Sequence, residues 1–98
     1  MFQINAHVLP TENSEHHENI VGAYASVYIN YADIDGAFEL AKYYLTQSGW
    51  EIKELEENYF IIESEGDVEA DQTELYREAL KDGYSLLLLG YTSEGADE

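Results

Sequence analysis

Apolar and polar positions alternate at period two from Phe2 to Leu9, with Phe2, Ile4, Ala6 and Val8 on one face. That spacing predicts a strand over 2–9, ended by Pro10, whose ring favours extended geometry in the residue before it. Residues 11–21 read as an acidic loop. Alternation returns from Gly22 to Tyr31. There Ala23, Ala25, Val27, Ile29 and Tyr31 share one face and Tyr24, Ser26, Tyr28 and Asn30 the other. The period then lengthens. Ile34, Ala37, Phe38, Ala41, Tyr44 and Leu45 recur at helical spacing, behind Asp33 or Asp35 as the N-cap and ahead of Gly49 as the stop.

The second half repeats these signals less regularly. Trp50 to Glu56 predicts a strand in which Ile52 and Leu55 are out of phase, a mismatch that a bulge or an early turn would absorb. Glu57-Asn58 reads as a hairpin tip, and Tyr59 to Glu63 as the returning strand, apolar on both faces. Asp71 and Glu74 have capping-box spacing before a helix whose apolar stripe is Leu75, Tyr76, Ala79 and Leu80, closed by Gly83. Tyr84 to Tyr91 is the last strand, and 92–98 an acidic tail. The order from Gly22 is strand, helix, strand, strand, helix, strand. This predicts one α+β domain over 1–98. Its 22–91 core is a ferredoxin-like split βαβ (β-α-β-β-α-β) antiparallel sheet with two helices on one face, and the N-terminal strand is additional.

In that topology the last strand lies at an edge, yet it carries Leu86-Leu87-Leu88-Leu89. An exposed edge with apolar side chains on both faces is an aggregation hazard, so cover is expected from the 2–9 strand or from a second subunit. The open face is expected to present Tyr24, Tyr28, Tyr59 or Ile61, Leu87, Leu89 and Tyr91, residue types suited to a protein interface. A homodimer packed sheet to sheet would bury them.

Composition narrows the chemistry. The 98 residues carry 21 acids against 4 bases, a net charge of −17, and no cysteine. Disulfides, Cys-ligated metals and thiol catalysis are excluded. The charge opposes a broad grip on nucleic acid or anionic lipid, and the longest apolar run is too short to span a membrane. No signal-peptide pattern opens the chain, so a cytoplasmic location is the default expectation. Glu15-His16-His17-Glu18 is the one cluster of metal-capable side chains, but it lacks the convergent third and fourth ligands of a structural site. His7 is a possible third ligand with nothing near it in sequence to fix it. No calcium loop, nucleotide fingerprint or activated serine is present.

These features predict a small non-enzymatic protein without a cofactor. It would act by protein–protein contact as a dimeric regulator or adaptor, its partner a second copy or another, basic protein. One alternative is an acidic inhibitor that mimics nucleic acid. It would use Glu54, Glu56, Glu57, Glu63, Glu65, Asp67 and Glu69 as a band against a basic nucleic-acid-binding surface. Another is a small enzyme with a carboxylate and histidine site at a dimer interface, drawing on Asp33, Asp35 and the His16-His17 pair.

Overall fold

The computed structural model describes residues 1–11 and 20–91. Most of the acidic loop, including Glu15 to Glu18, and the 92–98 tail lie outside the described residues. The strands are β1 (Phe2–Pro10), β2 (Gly22–Ile29), β3 (Trp50–Ile61) and β4 (Tyr84–Tyr91), and the helices are α1 (Ile34–Gln47) and α2 (Thr73–Asp82). The short 3-10 turns Glu65–Asp67 and Ala70–Gln72 lead into α2. The class is the one the pattern predicts. It is α+β, with a four-stranded antiparallel sheet and two packed helices in a ferredoxin-like arrangement, and the N-terminal strand belongs to the sheet. Strand order is β3-β1-β2-β4. Both β2 and β3 run antiparallel to β1, so β2-α1-β3 is a split βαβ unit with β1 inserted between its parallel strands.

The threading differs from the sequence expectation at Glu57-Asn58. No hairpin turns there. Instead β3 continues to Ile61, paired with β1 from Pro10↔Trp50 to Phe2↔Ile61. The pairing slips twice. Residues 56–58 oppose Asn5 alone, and Lys53 is extra between the His7↔Glu54 and Val8↔Ile52 pairs. The second slip is a bulge, one of the two ways in which the phase mismatch could be absorbed. It returns Ile52 and Leu55 to one face, and both pack on the core. A turn would have left the outer side of β1 unpaired, whereas the bulged strand satisfies that backbone along its length. The N-terminal strand is therefore central and does not shield β4.

The main core lies between α1 and the face carrying Ile4, Ala6, Val8, Ala23, Ala25, Val27 and Ile29. Ala37, Ala41 and Leu45 of α1 are fully buried against it, and Trp50 closes one end. Tyr44 stacks on Tyr84 with ring centroids 3.6 Å apart, which ties α1 to β4. Asp33 is the N-cap, its carboxylate accepting from the Gly36 amide at 2.8 Å. Gly49 and Gly83 both take positive φ at the helix ends.

The helix α2 meets the sheet through other side chains. Tyr28 and Ser85 are cross-strand partners, and alternation turns both away from the face of Val27 and Ile29. The Tyr28 hydroxyl donates to Gln72 Oε1, and Ser85 Oγ donates to the Leu75 carbonyl at 2.6 Å. The start of α2 therefore seats against the β2–β4 end of the second face, whereas the sequence pattern predicts both helices on one face; Ala79 is buried there and Leu80 exposed. The capping box expected at Asp71 and Glu74 does not form. Gln72 is the N-cap and makes no side-chain cap bond, its carboxamide being engaged by Tyr28.

Candidate interaction site

The second face of the sheet is built from the polar positions of β1. Register sets Gln3 beside Tyr28, Asn5 beside Ser26, and His7 beside Tyr24. Ser26 Oγ donates to Asn5 Oδ1 at 2.9 Å, and Gln3 Nε2 donates to the same oxygen at 3.4 Å. His7 stacks on Tyr24 with centroids 4.8 Å apart and planes 20° from parallel. Its Nε2 shares a hydrogen bond with the Tyr91 hydroxyl at 2.6 Å. Tyr91 reaches that far because its Cα partner is Gly22, where a side chain would collide with the phenol. The rings of His7, Tyr24 and Tyr91 thus form one aromatic wall.

Beside the wall is a groove of about 460 Å³, lined by Asn5, His7, Tyr24, Ser26, Glu54 and Glu56 together with the backbone edges of Ala6 and Ala25. Glu54 is the cross-strand neighbour of His7 on β3. The one serine of the groove, Ser26, is bonded to Asn5. Nothing near His7 in the sequence fixes its neighbours. The available signal was that His7 lies on the polar side of its strand; pairing of β1 with β2 then places it against Tyr24.

The anticipated interface residues divide by location. Tyr24 and Leu89 are cross-strand partners and well exposed, 57% and 62% respectively. Tyr91 and Leu87 are half-buried on the same side. Tyr28 is fully buried and offers no surface. Burial raises its hydroxyl pKa, and the carboxylates of Glu69 and then Asp71 raise it further. Tyr59 and Ile61 belong to the α1 side of the sheet, where Tyr59 meets Phe2 and Phe38 edge-on.

The acids of the anticipated band also have distinct settings. Glu54 and Glu56 line the groove. Glu57 is in the bulge opposite Asn5. Glu65 binds Arg77 at 2.7 Å, and Asp67 Oδ2 accepts from the amides of Glu63 and Ser64. Glu63 and Glu69 are exposed near the start and end of that connection. Among the described residues, no three His, Asp or Glu side chains converge to hold a metal ion, and no helix is long and apolar enough to cross a membrane. The chain matches no protein-family model, no curated protein and no solved structure.

Proposed function

We propose that this is a non-enzymatic protein that works through protein–protein contact, as a dimeric regulator or adaptor whose copies meet along β4. One observation carries the reading. In a chain with 21 acids, Tyr84–Tyr91 contains no charged residue, and among the described residues this strand forms one edge of the sheet. Two copies of net charge −17 approach most readily where charge is absent, and an edge strand offers unpaired backbone groups to a second strand. Exposed Leu89 would be covered by such a contact. Edge pairing suits the molecule better than packing sheet to sheet, because α2 already occupies part of the second face.

The test is the mass of the intact protein in solution at low and moderate salt. A dimer that strengthens with salt is expected, since salt screens the repulsion between copies. Leu89→Glu, at an exposed position, should give a folded monomer. A wild-type monomer at every concentration and salt would end this reading.

A second reading, the acidic inhibitor of a basic surface, is supported by Glu54 and Glu56, which flank a groove with no Lys or Arg among its described lining residues. It predicts capture of a basic nucleic-acid-binding protein from the native cell, released by salt.

A further inference from the structure

We infer that the groove of Asn5, His7, Tyr24, Ser26, Glu54 and Glu56 is a receptor for an arginine side chain presented by a partner protein. This extends the binding role above to a second surface, because pairing along β4 leaves the face of the sheet open.

The argument starts from what the groove contains. One wall is aromatic. Tyr24 has one ring face stacked on His7 and also meets Tyr91, yet it is 57% exposed, so ring surface remains for a planar cation. The β3 side is anionic, through Glu54 and Glu56, both exposed, with His7 of β1 between Tyr24 and Glu54. The floor is polar, through the Asn5–Ser26 pair. No Lys or Arg of the described lining neutralises the two carboxylates. Lys53, exposed at the bulge beside Glu54, does not line the groove; Lys42 is engaged by Glu39, and Arg77 by Glu65.

A guanidinium suits this combination better than an ammonium. It is planar, so it can lie on the Tyr24 ring, and its fork of N–H donors can serve carboxylates at its edge at the same time. An ammonium is a compact, strongly hydrated charge that gains less from the ring. The field of the whole molecule, at net charge −17, would draw a basic partner in and speed association. Tyr24 is held in place by His7, and His7 by Tyr91, so little ordering remains to be done on binding.

The experiment is an NMR titration of the full-length, isotopically labelled chain with three short peptides at about 0.15 M salt. The first alternates glycine and arginine, the second replaces arginine with lysine, and the third with the neutral isostere citrulline. The arginine peptide should shift the amides of Asn5, His7, Tyr24, Ser26, Glu54 and Glu56, with lysine weaker and citrulline silent. Glu54→Gln combined with Glu56→Gln should weaken arginine binding by about tenfold or more, as should Tyr24→Ala. All three positions are exposed, and the unchanged spectrum elsewhere would confirm folding.

Equal binding of the arginine and lysine peptides would overturn the proposal. So would shifts spread evenly over remote acids such as Glu63 and Glu74, or retained affinity in the double variant. The dimer reading fails separately. A monomer that binds the arginine peptide removes the dimer and keeps the groove, and a dimer that ignores it does the reverse.

Discussion

Tyr91 lies across the backbone of Gly22, its cross-strand partner, and from there bonds His7 on the next strand but one. The absence of a side chain at residue 22 is what allows that reach. Gly22→Ala should force the phenol aside, break the His7 contact and free the imidazole. Overpacking of this kind costs about 1–3 kcal/mol. Denaturant unfolding would give the loss in stability, and the His7 ring resonances would report its release. Unchanged ring signals in the variant would show that Tyr91 does not hold His7.

Tyr28 links the sheet to α2 and should make stability fall in alkali. Its hydroxyl pKa is raised in the folded state, first by burial and then by Glu69 and Asp71. The folded protein therefore favours the protonated phenol more than the unfolded chain does. That contribution is complete below the unfolded value of about 10 and is lost as pH rises from there through the higher folded value. Tyr28→Phe leaves Gln72 without its donor and should cost about 1–3 kcal/mol at neutral pH. It should also flatten the alkaline decline relative to the wild type. Parallel stability curves for the two proteins above pH 10 would refute the linkage.

Close approach of α1 to the sheet depends on small side chains. Ala37 and Ala41 are both fully buried against the core. Ala41→Leu has no room to enter and should destabilise the fold by about 1–3 kcal/mol. Glu39→Leu, on the exposed side of the same helix, should stay within about 0.5 kcal/mol. Thermal or denaturant midpoints of the two variants give the comparison. A tolerant Ala41→Leu would mean that the helix can lift from the sheet at little cost.

The sequence by itself determined the local elements. Alternation over 2–9 and 22–31 and helical spacing over 34–45 describe side-chain directions within one segment, and they match β1, β2 and α1. The phase mismatch at Ile52 and Leu55 marked an irregularity, a bulge or an early turn, and pairing with β1 makes it a bulge at Lys53. What the chain does at Glu57-Asn58 was not legible in the same way. Two short strands with a turn and one long bulged strand share the same local pattern, and only β1, more than forty residues away, supplies the pairing that favours the second. The same holds for the groove. His7, Tyr24, Glu54 and Tyr91 come from four strands, and nothing local relates them. Tyr28 and Tyr24 occupy equivalent places in the alternation of β2, yet one is buried and the other exposed, because α2 covers only one end of that face. Periodicity is fixed by bonds along the backbone, whereas neighbours across strands and the cover over a face are fixed by which distant segments pair and pack.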